Sequence, residues 1–145
     1  MEETITYTFS KEHTNCDKIF AQAENSVAQK QWSTADTEFN DFHTAMEKHF
    51  TAEEEILFPT FEERTGQTMG PTQVMRMEHQ QMRQIFAQMQ TSLAQRDGEQ
   101  YLGLSETLLM LMQQHNMKEE QMLYPMTDQV FGAEATSILE RIRAS

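Results

Sequence analysis

The sequence has few of the residues that interrupt helices: five glycines and three prolines in 145 residues. Its single cysteine, Cys16, excludes an intrachain disulfide and any metal site built from several thiolates. No segment approaches the roughly 18 consecutive apolar residues of a membrane span. The opening residues, MEETITYTFS, contain neither the basic nor the apolar part of a secretory signal. We therefore expect a cytoplasmic protein with no membrane partner.

Positive charge is also scarce, since 11 Lys and Arg residues face 23 Asp and Glu residues for a formal net charge of −12. Such a protein repels the phosphates of nucleic acids and anionic lipid headgroups, so we expect neither as a partner. An acidic surface attracts cations, although a surplus of Glu is more often a solvated face. The charge alone therefore gives weak evidence of cation binding, and the sequence does not indicate an oligomeric state.

Gln, Met, Ala, Leu and Glu, which favour helices, dominate the chain. The apolar residues, caps and breakers predict four long helices. They run from Ser10 to about Lys30, from Ser33 or Thr34 toward Pro59, from Pro71 or Thr72 to just before Asp97, and from about Glu99 past His115. Trp32 is assigned to the turn between the first two helices.

The alternating segment TITYTF is interpreted as an extended arm, and the residues after Gly132 as a short closing helix. Four long helices with short loops predict an all-α, up-down-up-down four-helix bundle, built of two similar helical hairpins with a short C-terminal helix. We expect one domain over residues 1–145. The 12 methionines and the phenylalanines are interpreted as core filler.

An internal repeat is the most informative feature of the chain. The segment HFTAEEEILFP at 49–59 recurs 66 residues later (115 − 49) as HNMKEEQMLYP, and the same offset relates KEHTNCDKIFAQ at 11–22 to MEHQQMRQIFAQ at 77–88. Each hairpin thus contributes one histidine from its first helix and a His-x-x-x-Glu from its second. Residues i and i+4 of an α-helix lie about 40° apart around its axis, so each such pair shares a face.

These repeated residues form a candidate metal site, with Glu53 and Glu119 expected to approach each other. Four imidazoles and two carboxylates suit iron, manganese or zinc. If both carboxylates bridge, the protein supplies about eight of the roughly twelve bonds of two octahedral ions, and an oxide or hydroxide bridge adds two. About two positions then remain for a small ligand. The alternative is a structural bundle whose histidines only pack. The proposed metal ligands are His13, His49, Glu53, His79, His115 and Glu119.

Other polar residues receive less specific interpretations. His43 has no histidine at the repeat offset and lies about 240° around the helix from His49, so we expect it to be structural or exposed. Cys16 is interpreted as a small buried apolar residue. Four further glutamates recur with the repeat, and each could either bond to a ligand histidine or be solvated. They are Glu12, Glu54, Glu78 and Glu120.

The ends of the two long motifs also match: Phe58 is equivalent to Tyr124 in the repeat, and Pro59 is equivalent to Pro125. A tyrosine hydroxyl beside two metals would affect redox chemistry, but we interpret both aromatic residues as core packing. The prolines are expected to kink or end the second and fourth helices at equivalent heights.

The order His, HxxxE, His, HxxxE on four successive helices resembles the hemerythrin-like family, also called HHE cation-binding domains, over nearly the whole chain. The resemblance implies a four-helix bundle with two iron ions, bridged by Glu53, Glu119 and an oxo or hydroxo group (Fe-O-Fe or Fe-OH-Fe). Oxygen-carrying hemerythrins have HxxxH on the third helix and HxxxxD on the fourth. Here Arg83 takes the position of the second histidine, and Glu119 follows His115 by four residues instead of five. Both departures argue against reversible oxygen transport.

The resemblance implies a protein that binds dioxygen, peroxide or nitric oxide for sensing, storage or stress response. The alternative is an enzyme that reduces peroxide or nitric oxide, or that supports iron-sulfur cluster repair. Ferritin-like di-iron enzymes use Glu-x-x-His and are a poorer match. The sequence marks no separate acid or nucleophile, so whether the protein turns over a substrate stays open, as does manganese or zinc in place of iron.

Overall fold

The computed structural model describes residues 3–145, which are mostly helical and contain no β-strand. The α-helices are α1 (Ile5–Ala28), α2 (Trp32–Ala52), α3 (Phe58–Thr65), α4 (Pro71–Ala94), α5 (Gly98–Lys118), α6 (Tyr124–Phe131) and α7 (Ala135–Ala144). Two π-helical turns, at Glu53–Leu57 and Glu119–Leu123, join α2 to α3 and α5 to α6, and a 3₁₀ turn at Gly132–Glu134 precedes α7. None of the helices within residues 3–145 has the length and apolarity to span a bilayer.

The first helix begins earlier than predicted, and the extended arm assigned to TITYTF is wrong. Thr4 caps α1 by accepting a hydrogen bond from the N–H of Tyr7. The carboxylate of Asp128 accepts hydrogen bonds from the N–H groups of Ile5 and Thr6, with N–O distances of 2.7 and 3.0 Å. A distant carboxylate therefore satisfies N–H groups that a helix start leaves unpaired, and no local pattern reveals it. Similarly, Trp32 is the first residue of α2 and not a turn residue.

Neither Pro59 nor Pro125 ends its helix, because the chain continues into α3 and α6. A proline inside a helix lacks an N–H, and its ring clashes with the carbonyl four residues earlier. Here the residue before each proline bonds five residues back: the N–H of Phe58 donates to the carbonyl of Glu53, and that of Tyr124 to the carbonyl of Glu119. A π-helical turn thus accommodates each proline.

The long helices pack in pairs, α1 along α2 and α4 along α5, and further contacts join α1 to α5 and α2 to α4. Their buried residues form two apolar clusters. One contains Cys16, Phe50, Met82 and Met112, and the other contains Phe9, Leu57, Met75 and Leu123. On each helix the repeated histidine lies between members of the two clusters, as His13 lies between Phe9 and Cys16. The histidines therefore occupy one level of the interior, with apolar packing on either side.

The interpretation of the methionines as core filler holds for only part of them. Met46, Met75, Met82, Met89 and Met112 are buried. Met69, Met77, Met110, Met117 and Met122 are 55–81% exposed, which corrects that interpretation, and Met1 lies outside the described residues. Methionine favours helices on any face, so its presence in a helix does not establish burial.

Candidate metal centre

The structure brings all six proposed ligands into one buried cluster, in which no residue is more than 5% exposed. Ligand atoms of Glu53, His79, His115 and Glu119 all lie within 4.8 Å of one another. His13, His49 and Glu119 form a second group with the same spacing. Glu53 and Glu119 therefore approach each other as expected, and Glu119 belongs to both groups. Two adjacent positions for a cation result.

Each of the four histidines is oriented by a glutamate at the edge of the cluster. The Nδ1–O distances are 2.7 Å for His13–Glu120, 2.7 Å for His49–Glu12, 2.6 Å for His79–Glu54 and 2.8 Å for His115–Glu78. An ionised carboxylate only accepts hydrogen bonds, so Nδ1 is the donor in each pair. The sequence left these glutamates open between bonding and solvation, and the structure shows that all four bond. Nε2 of each neutral ring is then available to a metal.

The Nε2 atoms point inward at the carboxylates. Nε2 of His79 lies 3.1 Å from Oε1 of Glu53, and Nε2 of His13 and His115 lie 3.1 and 3.2 Å from Oε1 of Glu119. Ligands about 2.1 Å from one ion and at right angles are separated by about 3 Å, so these spacings suit a shared cation. The donor types and their separations both fit a metal.

Four polar atoms in the cluster are buried and have no hydrogen-bond partner among the described residues. They are Oε1 of Glu53, Oε2 of Glu119 and Nε2 of His79 and His115. Leaving such a group unsatisfied costs about 1–3 kcal/mol, and proteins do so rarely. A cation would satisfy all four at once, which is an independent reason to assign the cluster to metal binding.

The carboxyl and imidazole groups strongly affect each other. Burial and the charge of Glu119 raise the pKa of Glu53. Burial opposes the charge on Glu119, but His115 and the other neighbours lower its pKa well below the usual value. Burial likewise disfavours the charged form of His115, yet Glu119 and Glu78 raise its pKa to about 10. Metal binding must therefore displace protons from this cluster.

The ring of Tyr124 packs in the core against Phe9, as predicted, but its hydroxyl also lies in the cluster. Its Oη is 2.7 Å from Oε2 of Glu53 and 2.9 Å from Oε1 of Glu119. Burial and the charge of Glu119 raise its pKa well above the usual value. In a regular α-helix Tyr124 would point about 140° away from Glu119, five residues earlier. The π-helical turn brings the two side chains to one side of the helix, and only the Glu119–Leu123 geometry reveals it.

The repeat-equivalent residue, Phe58, packs as predicted and has no polar group to offer. Its ring stacks on His79, with centroids 5.9 Å apart and planes inclined by 19°. Phe50 stacks on the same imidazole at 4.0 Å. Two aromatic rings therefore pack against His79, and neither offers a ligand atom.

The model of the hemerythrin HHE cation-binding domain matches residues 4–127. This chain belongs to that family. No curated protein and no solved structure matches it. As a member of this family it is a cation-binding protein, and the matched region includes all six cluster residues.

His43, Cys16 and Arg83 are not among the six cluster residues. His43 is partly exposed, 3.7 Å from Glu47, and its ring packs near Phe39 and Phe86. Cys16 is buried in an apolar cluster, as predicted. Arg83, at the position of a histidine in oxygen-carrying hemerythrins, donates hydrogen bonds to Glu47 and to Glu54. Arg83 thus acts on the cluster through the carboxylate that orients His79.

Proposed function

We propose that this HHE domain holds two iron ions and binds a small ligand, dioxygen, peroxide or nitric oxide, for sensing, storage or stress response. The convergence of four Nε2 atoms and two carboxylates in one buried cluster carries this proposal. One ion would be held by His13 and His49, and the other by His79 and His115. Glu53 and Glu119 would bridge them, because each carboxylate lies near histidines of both pairs.

The balance of charge and donor types supports two ions of this kind. Two divalent ions beside Glu53 and Glu119 leave an excess of two positive charges, which an anionic bridge reduces. The mixed nitrogen and oxygen set suits iron, with manganese and zinc as the other candidates. When bound, iron would supply a redox-active pair with an open coordination position. The protein's part is to fix the imidazoles through their Nδ1 bonds and to exclude bulk water.

The surroundings of the cluster favour a small ligand over an organic substrate. One surface depression is lined by Glu54, Gln73, Arg76, Met77 and Gln80, and another by Thr4, Thr6, Tyr7, Ser10, Lys11 and Thr14. Neither includes any of the six cluster residues. The cluster itself is buried, and the buried rings of Phe9, Phe50 and Phe58 pack against its histidines. A diatomic or peroxo ligand is the size that such a site accepts.

We also infer that residues 1–145 form one domain, an up-down-up-down bundle of two similar hairpins closed by α7. The pairing of α1 with α2 and of α4 with α5 supports this arrangement, as do the contacts between the pairs. The net charge of −12 disfavours nucleic-acid and anionic membrane partners, so we propose neither, and a cytoplasmic location stays a prediction.

Metal analysis of purified protein tests the iron proposal. We expect about two irons per chain and an absorption spectrum with charge-transfer bands of bridged ferric iron. The variants Glu53→Ala and Glu119→Ala should each lose both ions, because each removes a bridge. His43→Ala is the matched control and should retain both, since His43 lies outside the cluster. Wild-type protein without metal, or bridge variants that keep both ions, would contradict the proposal.

Rapid mixing of the reduced protein with dioxygen, peroxide or nitric oxide distinguishes a ligand-binding protein from an enzyme. A stable adduct that releases its ligand unchanged supports a binding role. Repeated consumption of peroxide or nitric oxide with an added reductant would instead support the enzymatic alternative.

A further inference from the structure

The hydroxyl of Tyr124 lies among four ligand atoms of the metal cluster. Besides its contacts with Glu53 and Glu119, its Oη lies 3.2 Å from Nε2 of His13 and 3.3 Å from Nε2 of His49. With the neutral histidines that a metal requires, all four neighbours are acceptors. One phenolic proton cannot satisfy four acceptors. An oxygen atom that shares its surroundings with four acceptor atoms is better suited to binding a cation than to donating a single hydrogen bond.

Although Glu53 and Glu119 would bridge both cation positions, the two positions differ in how many ligand residues lie within mutual reach. The position at His79 and His115 has four ligand residues within mutual reach, whereas the position at His13 and His49 has three, with Glu119 as the third. Oη of Tyr124 lies 2.9 to 3.3 Å from the ligand atoms of that second position, and Nε2 of His13 lies 3.1 Å from both Nε2 of His49 and Oε1 of Glu119. It is therefore placed where a further ligand belongs.

We propose that Oη of Tyr124 is a ligand of the metal at the His13–His49 position, so that the two metals of the centre are inequivalent. This inference rests on the proposed di-iron function. When the oxygen–metal bond forms, the O–H bond breaks and the proton passes to solvent. The other position has no equivalent ligand, because Phe58 occupies the matching place in the repeat.

The glutamates that orient the histidines also differ between the two metal positions, in whether a Lys or Arg neutralises them. Glu54, which orients His79, accepts hydrogen bonds from Arg83 at 2.9 and 3.1 Å, and Glu78, which orients His115, accepts one from Lys118 at 2.6 Å. In the first half of the repeat, the residue equivalent to Arg83 is Asp17 (83 − 66), and the residue equivalent to Lys118 is Ala52 (118 − 66).

Within residues 3–145, the two glutamates behind the other histidines, Glu12 and Glu120, accordingly form no ion pair with Lys or Arg. The His13–His49 position is thus the more negative of the two. Together with an oxygen ligand from Tyr124, this charge favours the metal ion of higher charge at that position.

A phenolate bound to ferric iron gives a visible charge-transfer band, and excitation in that band enhances the ring vibrations of the bound tyrosine. We expect both signals from oxidised, iron-loaded wild-type protein. Tyr124→Phe should lose both and still hold two irons, since Glu53, Glu119 and the histidines remain. Tyr101→Phe is the matched control, because Tyr101 is equally buried but belongs to an apolar cluster, and it should keep both signals.

Wild-type protein grown with ring-deuterated tyrosine provides a test that does not depend on a variant. The enhanced vibrations should shift with the label. Two irons without a phenolate signal, or an unchanged band in Tyr124→Phe, would overturn the role of Tyr124 and leave the di-iron proposal standing. Protein that binds no metal would overturn both.

Discussion

Nδ1 of His13 donates a hydrogen bond to Glu120, 107 residues away in the sequence, at 2.7 Å. The equivalent bond in the repeat, from His79 to Glu54, is 2.6 Å long. Both bonds join one half of the repeat to the other. Each half therefore supplies the carboxylate that orients a histidine of the other half, and one half alone cannot form a complete half of the site.

The first prediction concerns the hydrogen bond between His13 and Glu120. Glu120→Ala leaves His13 free to rotate and removes the acceptor that keeps its proton on Nδ1, so metal affinity should fall about 10–100-fold. Anaerobic titration with ferrous iron measures the change. Glu106→Ala removes an exposed glutamate of α5 and should leave the affinity unchanged. Equal affinity in the two variants would show that the hydrogen bond does not position His13.

The second prediction concerns stability. Because four buried polar atoms of the cluster lack hydrogen-bond partners within residues 3–145, a bound metal should stabilise the fold. At 100 times the dissociation constant, a ligand of the native state adds about 2.7 kcal/mol, which raises Tm by roughly 5–10 °C for a chain of this size. Calorimetry with and without a chelator measures the shift. Magnesium should give none, because it prefers oxygen ligands, and a chelator-insensitive Tm would argue against a metal in the folded protein.

The third prediction concerns the lone thiol. Burial, with a smaller effect of Glu12 and Asp17, raises the pKa of Cys16 to about 12. A raised pKa keeps the thiol protonated, so little reactive thiolate forms until the pH approaches that value. We expect labelling by a disulfide reagent to be slow between about pH 7 and 9 in native protein and fast after denaturation. Rapid labelling of native protein would mean that Cys16 is accessible.

The fourth prediction concerns the start of α1. Asp128→Ala removes the acceptor of the N–H groups of Ile5 and Thr6 and of the Thr6 hydroxyl. Loss of such a helix cap should lower the free energy of unfolding by about 0.5–2 kcal/mol in urea denaturation. Asp41→Ala, which changes an exposed acid of α2, is the control. Metal content should not change, so a loss of metal would show that this cap also shapes the site.

The six cluster residues were predictable because repetition and i+4 spacing are properties of the sequence alone. Residues four apart share a helical face in any regular helix, so His49 and Glu53 could be paired without a structure. Tyr124 was missed because that same regular geometry turns it away from Glu119. Only the π-helical turn brings the two together, and the proline after it was interpreted as a kink or an end.

Contacts between segments that are distant in the sequence could not be predicted either. The capping of α1 by Asp128 and the hydrogen bonds that Glu54 and Glu120 accept join parts of the chain whose separation no periodicity encodes. The offset of 66 residues identified these glutamates as equivalent to each other. It could not distinguish a hydrogen bond to a histidine from solvation, because the relative position of the two halves of the repeat decides which of the two occurs.

The magnetic state of the iron tests the central claim, that Glu53 and Glu119 join two metals into one centre, most directly. The oxidised protein should be examined by electron paramagnetic resonance on a sample whose iron content is also measured. We expect about two irons per chain with no signal from isolated ferric ions, because bridged ferric ions couple to a non-magnetic ground state. One iron per chain, or an isolated ferric signal that accounts for all the iron, would contradict the account.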